Sequence, residues 1–246
     1  MALNITQIDC AKANFRKDRP AHFEVEAIVI HLIDGNQSAA DATFTDGNLT
    51  ERRSAHYSIS QKGDIHQYMA EEDTAYHAGV VHKPTWRGLR RNSNGTFVNP
   101  NFYTIGIEHE GRVNDPWSDA MYEASAELIE SIASRHPKLS PLTRANVIHH
   151  REIRSNKMCP GTQADLGRLI RLAGGKAPDL PDVLFARSAV NVRKGEPSSS
   201  AEVVRVIPAG ELVNVKAKVT GESVNGVSVW YQNMDDDFVW GGVLMA

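Results

Sequence analysis

The stretch Val25–His31, VEAIVIH, is an apolar run that ends in a histidine. Its core, Ala27-Ile28-Val29-Ile30, has no polar residue on either parity. A short run of this kind reads as an interior strand covered on both faces. Helices are the usual cover, so the run predicts an α/β domain. The histidine at its end stands where a side chain can project into a cleft at the sheet edge.

Working outward, Tyr57–Ser60 and Ile65–Met69 flank Lys62-Gly63-Asp64, the pattern of a hairpin turn. Tyr103–Glu108, YTIGIE, and Ala145–His149 read as further strands. Asp115-Pro116 offers a helix start with proline in the first turn. Met121, Ala124, Leu128 and Ile132 then recur at helical spacing, and Pro137 blocks continuation. Thr162–Leu172 reads as a last helix with Leu166, Leu169 and Ile170 on one face. Strands and helices alternate, which predicts a central β-sheet flanked by helices.

The pattern changes after residues 173–182, where two Gly and two Pro in AGGKAPDLPD read as a linker. Val203–Ile207, Glu211–Val219 and Val227–Gln232 are short β-type runs punctuated by Pro208-Ala209-Gly210, Gly221 and Gly226. They predict a small all-β barrel over 183–246, behind a first domain over 1–172.

The 246 residues carry 27 Lys+Arg against 30 Asp+Glu, a net charge of −3. That balance gives no basic footprint for nucleic acid and no polybasic membrane anchor. No run of about 18 apolar residues is present, so membrane insertion is not expected. The opening MALNITQIDCAKANFRKDRP lacks a basic segment followed by an apolar one, so no secretory signal is expected and synthesis is placed in the cytoplasm. Two cysteines, Cys10 and Cys159, make no disulfide framework. All ten histidines fall in residues 1–150, which points to chemistry in the first domain.

His31 ends one strand and His149-His150 end another. Successive strand residues face opposite ways, so only one of the pair shares a cleft with His31. Cys159 follows nine residues after His150, and a loop of that length can return to the strand end. Two histidines and a cysteine are a suitable shell for catalytic zinc, with a fourth position left for water. Rival motifs fail: His150-Arg151-Glu152 has no paired cysteines, and His109-Glu110 is not followed by a second histidine at zincin spacing. Cys10, behind Asp9, is the alternative, as the nucleophile of a cysteine peptidase.

In order along the chain stand AIVIH (27–31), SAHYSI (54–59), KGDIHQ (62–67), TAYHAG (74–79), TIGIE (104–108) and KMCPG (157–161). Together, over residues 22–172, they resemble the zinc N-acetylmuramoyl-L-alanine amidases, which include phage lysozyme-type amidases and peptidoglycan recognition proteins. The resemblance implies a central mixed sheet flanked by helices and one Zn²⁺ per chain. It places His31, His150 and Cys159 as metal ligands, with His149 standing where family members usually carry glycine. It implies Glu108 as general base, Lys157 as the group that stabilises the tetrahedral intermediate, Tyr57 beside the metal, and His77 at the substrate. The substrate it implies is peptidoglycan or a muropeptide. A peptidoglycan-binding module without activity is the other reading, although the non-hydrolytic relatives typically lack the zinc cysteine.

Residues 184–246 resemble a bacterial SH3-like domain through AVNVRKG (189–195), IPAGELVNV (207–215) and the Trp230 and Trp240 positions. The resemblance implies attachment to cell wall. With no export signal in view, action on the wall after release or specialised export is expected.

Overall fold

Ala27–Leu32 forms the expected strand, buried from Ala27 through His31. The computed structural model describes residues 3–176 and 183–245. The chain divides into two compact units, Met1–Lys176 and Ala177–Ala246. Most of the expected linker, residues 177–182, lies outside the described residues.

In chain order the first unit carries β1 (Ile5–Gln7), β2 (Phe15–Arg16), β3 (Ala27–Leu32), α1 (Gln37–Thr45), β4 (Tyr57–Ile59), β5 (Ile65–Gln67) and β6 (Thr74–Ala75). It continues with β7 (Thr104–His109), α2 (Asp119–Arg135), β8 (Val147–His149) and α3 (Leu166–Leu172). Six strands make one mixed sheet in the order β1-β5-β4-β7-β3-β8. β3 runs parallel to both β7 and β8, and β7 parallel to β4. β4 and β5 are the antiparallel hairpin, closed by Gly63 at φ +86°. β2 and β6 form a separate two-stranded ribbon.

The register sorts the side chains. His31 pairs with Glu108, and Ser58 pairs with Glu108 from the other side, so these three share one face. Tyr57 pairs with Ile107 and His149 with Ile30, so they share the opposite face. α1 covers the first face, where Gln37 Nε2 donates to Ser58 Oγ at 3.1 Å. α2 covers the second, where Ser125 Oγ meets His109 Nε2 at 2.9 Å.

Two helix starts differ from the sequence reading, and one helix is new. α2 starts at Asp119, not Asp115: Ser118 Oγ accepts the Met121 N–H at 3.0 Å, while Asp115 closes a turn by accepting the Arg112 N–H. α3 starts at Leu166, capped by Asp165, because Thr162 is tied to Val113 O. α1 was not anticipated. Its buried stripe is Gln37, Ala40 and Phe44, and the polar residue hides the pattern. That glutamine is buried because its amide also donates to Ser58 O and Asp64 O.

The second unit has β9 (Val183–Ala186), β10 (Val190–Arg193), β11 (Val203–Ile207), β12 (Leu212–Val224), β13 (Val227–Asn233), β14 (Phe238–Trp240) and β15 (Leu244–Met245). They form one sheet in the order β11-β10-β14-β13-β12-β9-β15, with antiparallel ladders. Asn225 and Gly226, both at positive φ, make the tight turn between β12 and β13. Val190, Val192, Ile207, Val213, Val215 and Val239 lie in its core. Trp230 is buried there, its indole N–H donating to Glu222 O at 2.8 Å.

Candidate metal centre and active site

Parallel pairing puts the carboxyl ends of β3, β7 and β8 side by side, the usual place for a ligand crevice. His31, His150 and Cys159 meet there, each offering one ligand atom, all within 4.8 Å of one another. His150 opens the short 3₁₀ turn (His150–Glu152) that follows β8, which swings its ring to the side of His31. His149, still in the strand, points away. Its ring nitrogens face Arg144 at 3.3 Å and Arg151 at 3.4 Å, beside the buried Glu152.

The donors suit zinc. Burial holds His31 well below the ordinary imidazole range, with the neighbouring His150 and His77 adding to it. Burial likewise lowers His150, to about 4. Both rings are therefore neutral at neutral pH, with a lone pair to offer a metal. Burial pushes the Cys159 thiol up, and Glu108 adds to this, while the Leu32 N–H opposes it at 2.9 Å from the sulfur. A dication is what such a thiol lacks for ionisation. The three ligand atoms lie within 4.8 Å of one another, against the roughly 3.5 Å that zinc–ligand bonds of about 2.0–2.3 Å set in a tetrahedral shell.

These residues line a cleft of about 550 Å³, together with Glu108 and Lys157. Glu108 Oε2 is buried and has no hydrogen-bond partner among the described residues. Burial pushes this carboxyl up to about 8. A carboxyl oxygen buried and bare in a cleft is one awaiting a proton or a ligand. Lys157 is exposed on the loop that carries Cys159. Arg53 and Tyr76 also reach the cleft. The sequence reading passed over Arg53, which stands outside the quoted motifs, and gave Tyr76 no role, though it adjoins His77.

Two expected roles do not fit. Tyr57 is 2% exposed on the face opposite His31 and Glu108, and its hydroxyl donates to Glu71 Oε1 at 2.7 Å. The two-residue strand period turns it away from the cleft. His77 lies at the cleft, but both ring nitrogens are engaged inside the protein. Nδ1 is 2.9 Å from His31 Nε2, and Nε2 is 3.2 Å from Thr104 Oγ1. It supports His31 and has no ring nitrogen left for substrate. The rival nucleophile Cys10 sits in an apolar cluster with Phe44 and Tyr68, and burial pushes its thiol up to about 12. A buried thiol of this kind is a packing residue.

The family profile described as N-acetylmuramoyl-L-alanine amidase matches residues 21–162. The chain belongs to this amidase family. Among curated relatives, N-acetylmuramoyl-L-alanine amidase A of Achromobacter lyticus is 35% identical over 115 residues, which is 46% of this chain and 53% of that protein. The 1,6-anhydro-N-acetylmuramyl-L-alanine amidase AmpD of Haemophilus influenzae is 33% identical over 120 residues, 48% of this chain and 58% of that protein. The chain thus spans about half the length of the curated relatives it matches. Among solved structures, a selenomethionine derivative of AmpD superposes with a TM-score of 0.56 at 26% identity, covering 70% of this chain and 99% of that one. The amidase AmiD from E. coli, in complex with anhydro-N-acetylmuramic acid-L-Ala-D-γ-Glu-L-Lys, superposes with a TM-score of 0.51 at 26% identity, covering 68% and 65%. The mixed α/β sheet of the first unit is therefore the amidase fold, and its cleft occupies the carboxyl ends of the strands.

Proposed function

We propose that this chain is a peptidoglycan hydrolase that cleaves the amide between N-acetylmuramic acid and the L-alanine of the stem peptide. The observation that carries the reading is the convergence of His31, His150 and Cys159 beside the bare, buried Oε2 of Glu108. One Zn²⁺ per chain, bound by those three side chains, supplies a water acidic enough to be a nucleophile near neutral pH.

Glu108 takes the proton of the attacking water at Oε2 and returns one to the leaving amine of L-alanine. Its raised pKa suits both steps. Lys157 brings its ammonium to the oxygen on which negative charge develops. Peptidoglycan or a muropeptide is the substrate class, in line with the muropeptide complex of the AmiD relative.

The second unit is read as an SH3-like module that holds the enzyme to insoluble wall, reached after release or specialised export. Its antiparallel strands, apolar core and buried Trp230 support that reading. Co-sedimentation of the full chain with purified wall, beside a chain ending at Lys176, tests it.

The activity is tested by release of stem peptides with a free L-alanine amine from purified wall, with and without a zinc chelator. Product that disappears with the metal and returns with zinc supports the amidase. Activity that survives metal removal but is lost on alkylation of Cys10 overturns it in favour of a peptidase. Bound zinc with no product from any wall would favour a binding module.

A further inference from the structure

One dipeptide stands behind both imidazole ligands. The Thr104 hydroxyl donates to Pro100 O at 2.9 Å, which leaves its oxygen to accept. His77 Nε2, 3.2 Å from that oxygen, therefore carries the ring hydrogen. The His77 ring is buried, and its two nitrogens face Thr104 and His31 rather than a carboxylate, so the ring is neutral and Nδ1 is the bare nitrogen. His31 Nε2, 2.9 Å from that Nδ1, has to be the donor. The lone pair of His31 is thereby left on Nδ1.

His150 reaches the same state by another route. Its Nε2 lies 3.1 Å from the carbonyl oxygen of Ala78, which can only accept. Its lone pair too is left on Nδ1. The acceptors for the two ligands thus come from adjacent residues, His77 by its ring and Ala78 by its backbone.

That dipeptide is itself fixed. Asn101 Oδ1 accepts the backbone N–H of His77 at 3.2 Å and of Ala78 at 2.8 Å. On β7, Gly106 leaves the slot for the His77 ring, since a Cβ there would lie 2.5 Å from His77 Cγ. Outer partners of this sort fix the tautomer and orientation of metal-binding histidines and strengthen binding.

We propose that His77-Ala78, clamped by Asn101 and backed by Thr104 and Gly106, presets His31 and His150 as Nε2–H tautomers with Nδ1 free for the metal. His77, Asn101, Thr104 and Gly106 are positioning residues for the site. The metal part of this inference rests on the zinc reading above. The tautomer part does not.

Two measurements test it. Imidazole ¹⁵N shifts of the full chain, freed of metal, report the tautomers of His31 and His150. Competition with a chromophoric chelator reports the zinc Kd. The wild-type spectra should show Nε2–H at both rings. His77→Leu, which removes the acceptor, should raise the Kd by about 10–100-fold while far-UV circular dichroism is unchanged. His77→Asn restores an acceptor near the Nδ1 position and should return the Kd to within roughly tenfold of wild type. Thr104→Val is nearly isosteric, so it tests the relay even if His77→Leu does not fold. It removes the hydroxyl beside His77 Nε2 and should give His31 a mixed ring signature with a several-fold weaker Kd.

An Nδ1–H signature at either ligand in the metal-free wild type would overturn the proposal. So would an unchanged Kd in both His77→Leu and Thr104→Val. Failure of the wild type to bind zinc at all overturns the zinc reading instead, and leaves the metal-free spectra to decide the tautomers.

Discussion

The backbone N–H of Leu32 donates to the Cys159 sulfur at 2.9 Å, tying the end of β3 to a loop 127 residues further on. The bond anchors Cys159 next to His31, and it favours the thiolate over the thiol. Cys159→Ala should therefore do two things. Zinc content should fall far below one per chain, read by elemental analysis after dialysis against a weak chelator. The metal-free chain should also lose roughly 1–3 kcal/mol, because the half-buried Leu32 N–H is left without its acceptor. A thermal melt of metal-free wild type and variant reads that second effect.

Glu108 and Lys157 separate binding from chemistry. Glu108→Gln keeps the shape and removes the base, so turnover on muropeptide should drop about 10²–10⁴-fold. Lys157→Ala removes a charge from an exposed side chain, so it should lower turnover by about 10²–10³-fold with the melting temperature unchanged. Zinc should stay near one per chain in both. Loss of metal from either variant would make that residue part of the metal shell and end its assignment as a group acting on substrate.

Tyr57 shows where sequence reading stops. The chain order of the motifs marked this residue, but its direction depends on the pairing of Ser58 with Glu108 and of Tyr57 with Ile107, which no single strand reveals. A strand one residue out of phase faces the other way. Tyr57→Phe should therefore leave turnover within about twofold of wild type, since the hydroxyl does not face the cleft. It should cost stability of roughly 1.5–3 kcal/mol, because Glu71 loses a donor to a charged group. Parallel activity and urea-unfolding measurements on one preparation decide between the two faces.

The same limit explains what else was legible. The apolar run before His31, the proline after α2 and the Gly63 turn act locally, and the structure keeps all three. The two-histidine doublet was resolved in principle by the strand period, but choosing His150 needed the turn that starts there. The histidine count promised more chemistry than there is. His56, His109 and His149 are buried and bonded at both ring nitrogens, so they serve packing. Asn101 gave no signal, and Thr104 and Gly106 stood in the TIGIE motif without a role of their own, because all three hold another side chain.

Glu71, behind the sheet, sets an acid limit. Its carboxylate accepts from Tyr57 at 2.7 Å and from Arg135 Nη2 and His136 Nε2 at 2.6 Å each, with only 6% of the side chain exposed. Burial alone would raise its pKa, but the bonds from His136, Arg135 and Tyr57 outweigh burial and hold it at about 2. The folded value lies below the ordinary 4.5, so the stabilisation is complete above pH 4.5 and is lost as pH falls through about 2. A shift of this size corresponds to about 3 kcal/mol. Urea midpoints of the metal-free chain between pH 6 and pH 2 should fall most steeply inside that window. Glu71→Gln should be less stable at pH 6 and show a shallower slope there. An equal slope in the variant would place the acid sensitivity elsewhere, with the buried Glu152, also held at about 2 beside Arg144 and His149, as the group to test next.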